Sequence, residues 1–157
     1  MKNRKHIHRL LGVRVGPTDG SQTIVGATRV FGGNIDKMFW MNGFGRPGRP
    51  TPPRNLVAYT VDNEFTKESR LEEVFSSTGI LTHELLVEES EVVEFCQHLP
   101  EELRGSDLGI FLVLKRGKIL KVAGVYPSNG GLSIVRHDFD HPGKFVAGLS
   151  VRIVVPH

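Results

Sequence analysis

Cysteine and tryptophan are almost absent from this sequence, which has one of each among its 157 residues. The single cysteine, Cys96, excludes an internal disulfide, and a chain without disulfides suits a reducing compartment. Cys96 lies on the apolar side of a predicted helix, in the segment EVVEFCQHL, so we expect a buried structural thiol. We therefore expect a cytoplasmic protein, or one that is assembled into a particle in the cytoplasm.

Long apolar runs are missing as well. No stretch approaches the roughly 20 apolar residues that a membrane helix needs, so we expect no membrane partner. The basic N-terminal segment is interrupted by Arg9, Gly12 and Arg14, and it lacks the hydrophobic stretch and cleavage site typical of a signal peptide. The apolar content of 39% and the charged content of 24% are typical of a globular protein. We predict a single domain over residues 1–157.

The net charge of +3 conceals three blocks of alternating sign. Residues 1–57 have ten Lys and Arg against two acids, a balance of +8. Residues 58–107 have three against thirteen, a balance of −10, and residues 108–157 have seven against two, a balance of +5. Such blocks favour head-to-tail contact between copies, or contact with an oppositely charged partner. The alternative is that the acidic block contains solvated helix faces, with Glu88, Glu89 and Glu91 around a helix start.

The apolar pattern predicts more strands than helices. Strands are predicted at 6–15, 22–31, 37–41, 56–61, 80–87, 109–114, 118–126, 132–137 and 145–155. Two short helices are predicted in the middle of the chain, one with capping-box spacing at Ser69 and Glu72 and one with an N-cap at Ser90. We therefore predict an α+β fold with a mainly antiparallel sheet, similar to a sandwich or half-barrel.

The segment VRHDFDHPGKF, residues 135–145, concentrates His137, Asp138, Asp140 and His141 in five positions. Imidazoles and carboxylates are good ligands for divalent metals, and such a cluster could activate a bound water. The same composition is typical of a turn, because Asp side chains bond to nearby backbone amides and Pro-Gly reverses the chain. We interpret the segment as a hairpin loop between two strands, with a metal site as the alternative.

The string HDFDHPG also resembles the metal-binding HD-x-DHPG segment of class I cyclic-nucleotide phosphodiesterases. The resemblance implies that His137 and Asp138 would ligate metals. It covers seven residues, from His137 to Gly143. Those catalytic domains are helical and need further histidines in an H-N-x-x-H pattern, which this chain does not have. The hairpin interpretation therefore has priority here.

The segment NGFGRPGRPTPPRN, residues 42–55, is rich in Gly, Pro and Arg, and its prolines exclude a helix or a central strand. We predict an extended arm. Aromatic and arginine side chains anchor protein interfaces, and they also bind nucleic acid by stacking and by pairing with phosphates. The predicted contact residues are those of the arm and its flank together with the basic tail at residues 1–5: Trp40, Phe44, Arg46, Arg49, Arg54, Lys2, Arg4 and Lys5.

Three functions follow from these features. The first hypothesis is a non-enzymatic subunit of a larger assembly, of the virion, phage-particle or ribonucleoprotein type, which contacts copies of itself or other protein subunits through the arm. The second is a nucleic-acid-binding protein that uses the arm and the basic tail. The third is a metal-dependent hydrolase at the segment 137–141. The first two need no cofactor, and the third needs a divalent metal.

Overall fold

A computed structural model describes residues 6–32, 34–128, 131–141 and 150–157. Three of the predicted contact residues, Lys2, Arg4 and Lys5, lie outside these ranges. So does the end of the segment 135–145, from residue 142 onward.

Seven strands form one open sheet in the described part of the chain. Their bounds are β1 Ile7–Val15, β2 Arg54–Val61, β3 Leu86–Val87, β4 Leu108–Arg116, β5 Ile119–Ser128, β6 Gly131–Asp138 and β7 Ser150–Pro156. The order across the sheet is β1-β2-β7-β4-β5-β6, and β3 pairs with the end of β4. Strand β4 is parallel to β7 and to β3, whereas all other pairs are antiparallel. The predicted α+β fold with a mainly antiparallel sheet is confirmed.

The sheet has an apolar layer on each face, because alternate residues of a strand point to opposite sides. In β4, Ile110 and Leu112 lie in the first layer, whereas Phe111 and Val113 lie in the second. Helices α1 (Thr28–Phe31) and α4 (Glu89–Gln97) and a 3-10 helix (Lys37–Trp40) bury side chains in the first layer. Helices α2 (Asn63–Glu68) and α3 (Leu71–Ser76) cover the second.

The two helices predicted from the sequence correspond to α3 and α4, although their caps differ from the prediction. The N-cap of α3 is Arg70, one residue after the predicted Ser69, and the N-cap of α4 is Glu88, two residues before the predicted Ser90. In α3 the carboxylate of Glu73 accepts a hydrogen bond from the Arg70 backbone N–H at 3.0 Å. In α4 the carboxylate of Glu91 accepts one from the Glu88 N–H at 2.9 Å. Acidic side chains three residues beyond the cap satisfy the backbone at both starts.

Three of the predicted strands are wrong. The segment 22–31 forms a turn and then α1, the segment 37–41 forms the 3-10 helix, and the segment 80–87 contains a 3-10 helix (Thr82–Glu84) before the two residues of β3. Individual apolar side chains of these segments are buried, but the backbone that carries them does not form a strand. Ile24 and Phe39, for example, are fully buried in the first layer without belonging to a strand.

The predicted hairpin at 135–145 is also wrong. Strand β6 lies at the edge of the sheet and pairs with β5, whereas β7 lies between β2 and β4. Strands β6 and β7 are therefore not neighbours in the sheet, because β4 and β5 lie between them. Strand β1 pairs with the distant β2.

The buried strand β4 should carry much of the stability of the fold. We expect Leu112→Ala to lower the free energy of unfolding by about 2–5 kcal/mol, because Leu112 is fully buried and the truncation leaves a cavity. Leu10→Ala on edge strand β1, where the side chain is 38% exposed, is the matched control and should cost less than about 1 kcal/mol. Urea unfolding curves measure both, and equal losses would contradict this account of the core.

Candidate interaction surfaces

The Gly/Pro/Arg arm packs on its own domain. The Gly48 N–H donates to the Gly20 carbonyl at 2.8 Å, and Thr18 and Thr51 exchange backbone hydrogen bonds of 3.0 and 2.9 Å. Phe44 is 2% exposed and meets the ring of Phe39 edge to face, with 6.3 Å between centroids. The described arm is therefore a fixed part of the domain surface, and any partner contact must use the side chains that it leaves exposed.

The carboxylate of Glu89, at the start of α4, joins three separate segments. It accepts hydrogen bonds from the backbone N–H groups of Ile24 and Gly45, each at 3.1 Å. It also accepts from the Arg116 guanidinium, with Nη2 at 2.8 Å and Nε at 3.2 Å. Its side chain is only 1% exposed, and every one of these donors comes from another part of the chain.

The buried carboxylate of Glu91 forms a second ion pair, with the partly exposed Arg54 of the arm. The Arg54 Nε and Nη2 atoms each donate to the carboxylate at 2.7 Å, and Nη2 also donates to the Leu86 carbonyl at 2.8 Å. The interpretation of Glu89 and Glu91 as a solvated helix face is therefore wrong. Their partners lie 27 and 37 residues away along the chain, where no local pattern could reveal them.

The remaining predicted contact residues divide by exposure. Phe44 and Arg54 serve the packing of the domain, whereas Arg49 is 88% exposed and lies 3.7 Å from the Glu88 carboxylate. Arg46 is exposed, and its side chain has no acidic partner among the described residues. Trp40 is 59% exposed. Of the proposed anchors, Trp40 and Arg46 thus remain the most available for contact.

Trp40 and Arg46 belong to a larger exposed patch, which also includes residues that the sequence pattern does not indicate. Met38 and Met41 are 41% and 52% exposed beside Trp40, and Lys37 begins the same 3-10 helix. We call Lys37, Met38, Trp40, Met41 and Arg46 the Trp40 surface. The segment KMFWM was assigned to a strand, which would have placed Met38 and Trp40 on one face and Met41 on the other. The pattern that indicates the 3-10 helix is a single inward-facing apolar residue, Phe39, with the other residues of Lys37–Trp40 facing solvent.

Arg136 fixes the base of the Trp40 surface. This arginine of β6 is buried, and its guanidinium donates to the Met41 carbonyl at 3.2 Å and to the Asn42 side-chain oxygen at 2.9 Å. It also lies over the ring of Phe44, 5.2 Å from the centroid. The turn after the 3-10 helix is therefore attached to the edge strand of the sheet.

An acidic surface lies on the opposite face of the sheet. Helices α2 and α3 pack on the second apolar layer, and the segment after them exposes 61% of Leu81. We call Glu64, Glu68, Glu72, Glu73, Leu81 and Glu84 the acidic surface. Two bases, Lys67 and Arg70, lie among these acids, and Lys67 is 3.9 Å from Glu64. The local balance remains negative, with five acids against two bases.

The structure separates the residues of the predicted metal site. His137 Nε2 lies 2.9 Å from the Tyr126 hydroxyl, and the ring of His141 lies 5.4 Å from that of His137. Burial lowers the pKa of His137 to about 4, with a contribution from His141, and burial raises the pKa of the Tyr126 hydroxyl. The neutral His137 ring and the protonated Tyr126 hydroxyl therefore share one hydrogen bond, whose direction follows from the tautomer of His137.

The two aspartates of the same segment do not join these histidines in a ligand set. Asp138 accepts a hydrogen bond from the Lys121 ammonium, which lowers the pKa of the Asp138 carboxyl, and Asp140 is exposed. Within the ranges that the structure describes, no three His, Cys, Asp or Glu side chains are arranged to hold a metal ion. The geometry thus gives a partly buried Tyr126–His137 pair in the segment for which a metal site was the alternative to a hairpin loop.

Comparisons with known proteins assign no family to this chain. No family model matches it, and neither the curated proteins nor the solved structures contain a significant match. In the described part of the chain, no helix has both the length and the apolar character to cross a membrane. The buried Cys96 agrees with the predicted structural thiol, and burial raises its pKa to about 12.

Neutralising Glu89 should weaken the hydrogen bonds and the ion pair that join the arm and β4 to α4. We expect Glu89→Gln to lower the free energy of unfolding by about 3–5 kcal/mol, because it leaves the Arg116 charge buried without its partner. Glu64→Gln is the matched control, since that side chain is 86% exposed, and it should change stability by less than about 0.5 kcal/mol. Denaturant titration measures the free energy of unfolding of both variants. A loss below about 1 kcal/mol for Glu89→Gln would contradict the role given to this carboxylate.

The depressed pKa of His137 predicts a stability that falls in acid. Between about pH 6.5 and about pH 4 the unfolded chain binds a proton at His137 that the folded chain excludes, so this contribution is complete above pH 6.5 and is lost as the pH falls. Unfolding free energies measured from about pH 7 to pH 4 should decline less steeply for His137→Gln than for the unsubstituted protein. The exposed residue His83, changed to Gln, is the control and should retain the original slope. Identical slopes for all three proteins would exclude His137 as the source.

Proposed function

We propose that this protein is a non-enzymatic assembly subunit that associates head to tail with copies of itself. In this proposal the Trp40 surface of one copy contacts the acidic surface of the next. The observation that carries the proposal is the placement of two complementary exposed surfaces on opposite faces of one sheet.

The two surfaces have the composition of interface partners. Exposed Trp and Met side chains supply apolar area, and tryptophan and arginine are the residues that most often dominate binding energy at interfaces. Lys37 and Arg46 give the first surface a positive charge. Leu81 gives the second an exposed apolar side chain, so that apolar area and charge are complementary between the two.

The opposite placement of the surfaces determines the kind of assembly. A two-fold dimer would bring each surface against itself, which places like charges together. A contact between different surfaces is heterologous, and repetition of such a contact generates rings or filaments. The proposal therefore specifies an assembly of many copies, and a virion, phage-particle or ribonucleoprotein setting stays a prediction from the sequence.

Nucleic-acid binding is the second candidate, favoured by the exposed Trp40 beside Lys37 and Arg46, which pair with no carboxylate of the described residues. The geometry supports it less well, because Arg54 is neutralised by Glu91 and Arg49 lies near Glu88. A single-strand site would then depend on Lys37 and Arg46 alone among the described residues near Trp40. The experiment below separates this candidate from self-assembly.

Charge reversal of each surface should abolish self-association, and mixing the two variants should restore it. One variant combines Lys37→Glu with Arg46→Glu, and the other combines Glu68→Lys with Glu84→Lys. Each variant alone presents two surfaces of one sign, so that association should fall at least tenfold, whereas the mixture again offers opposite surfaces. Light scattering behind a sizing column measures the mass, with absorbance at 260 and 280 nm.

Arg9→Glu with Arg14→Glu is the matched control, because it changes the charge equally on exposed residues of β1 outside both surfaces. This control should assemble like the original protein. A monomer under all salt conditions, or an oligomer that both variants leave intact, would overturn the proposal. A monomer that carries nucleic acid, removed by high salt, would support the second candidate in its place.

A further inference from the structure

An apolar cavity of about 500 Å³ opens on the first face of the sheet, where β4 begins and β5 ends. Its volume is within the range of small-molecule sites in proteins. Helix α1 lies on one side, and the end of α4 with the 3-10 helix Glu101–Leu103 lies on the other. The apolar wall includes Val30, Leu99, Leu103, Leu108, Ile110 and Leu132.

Two arginines line the cavity and leave their charges unpaired. The Arg104 Nε donates to the Leu99 carbonyl at 2.8 Å, which positions the guanidinium while its terminal nitrogens make no hydrogen bond within the described residues. Arg29 of α1 is exposed, and no carboxylate of the described chain pairs with it. Among the described residues that line the cavity, none is acidic. This described lining therefore combines an apolar interior with two cations and no compensating anion.

We propose that this cavity binds a small amphipathic anion, a molecule with an apolar chain or ring and one anionic head group that Arg29 and Arg104 contact. Apolar side chains remove the body of such a ligand from water, and guanidinium groups form charge-assisted hydrogen bonds with a carboxylate or a phosphate. This site is distinct from the Trp40 surface and the acidic surface, and it does not depend on the proposed assembly.

Cys96 gives the site an internal reporter. It lines the cavity and is the only cysteine of the chain, so reaction of its thiol with a chromogenic disulfide reagent reports on access to the cavity. Burial raises the pKa of the thiol to about 12, so little thiolate is present at neutral pH and the labelling of Cys96 is slow even without ligand. A bound ligand should slow the labelling further.

Calorimetric titration of the full chain with decanoate, decyl phosphate and decanol tests the proposal. We expect saturable binding of at least one of the two anions, at least tenfold tighter than decanol, because decanol has the same chain without the charge. A preference for decanoate would identify a carboxylate head and a preference for decyl phosphate a phosphate head, and either supports the site. The bound anion should also protect Cys96 from labelling.

Two variants locate the binding. Arg29→Leu with Arg104→Leu should weaken the anions at least tenfold and leave decanol unchanged, and Arg9→Leu with Arg14→Leu is the matched control on β1. Val30→Trp should fill the cavity and abolish binding, provided that its circular dichroism and unfolding curve match the original. If that variant does not fold, Cys96 protection in the unsubstituted protein serves as the test of location.

Several results would overturn the proposal. These are no saturable binding of either anion, equal affinity for the anions and decanol, binding that persists in a folded Val30→Trp variant, and binding that leaves Cys96 labelling unchanged. Binding that a change at Trp40 removes would also overturn it, because the ligand would then lie on the exposed Trp40 surface.

Discussion

A buried carboxylate, that of Glu89, connects the segments of this fold that have no regular structure of their own. It lies in the first turn of α4, where the helix dipole favours a negative charge, and the Arg116 guanidinium neutralises it. Removing a carboxylate from water is costly, so the arrangement is stable only because four donor nitrogens from three segments satisfy it. The loop around Ile24, the arm at Gly45 and strand β4 are thereby attached to one helix end.

This attachment explains how a Gly/Pro-rich segment becomes a defined surface. Gly45 has φ +81°, and a Cβ atom there would lie 2.9 Å from the Phe39 carbonyl, so only glycine brings its N–H to Glu89 in this position. With Gly45 fixed, Phe44 is directed into the apolar layer beside Phe39. Trp40 and Met41, which precede Phe44, and Arg46, which follows it, then remain exposed to solvent. The exposure of the Trp40 surface thus follows from the buried contact next to it.

Local patterns predicted where most strands and two helices lie, including β1, β2 and β7, but they did not reveal which distant strands pair. Strands β4 and β5 and helices α3 and α4 were recognised because the turn at Arg116 and the apolar spacing of each helix are local features. The insertion of β7 between β2 and β4 could not be predicted, since its parallel pairing with β4 depends on a crossover. The same reason explains the candidate surfaces. Trp40 and Arg46 were selected by residue type, whereas the burial of Glu89 and Glu91 required arginines that lie far along the chain.

The charges that remain on the surface are those of the sequence blocks without the residues that form ion pairs inside the domain. Arg54 and Arg116 neutralise Glu91 and Glu89 inside the domain, so these four residues no longer contribute to either exposed surface. The charges of Lys37 and Arg46 remain on one face of the sheet, and those of Glu68 and Glu84 remain on the other. The sheet and its two apolar layers separate these groups by more than a Debye length at physiological salt, which is about 8 Å, so they do not neutralise one another within one molecule. A contact between molecules is the arrangement that brings them together, and it covers Trp40 and Leu81 in the same step.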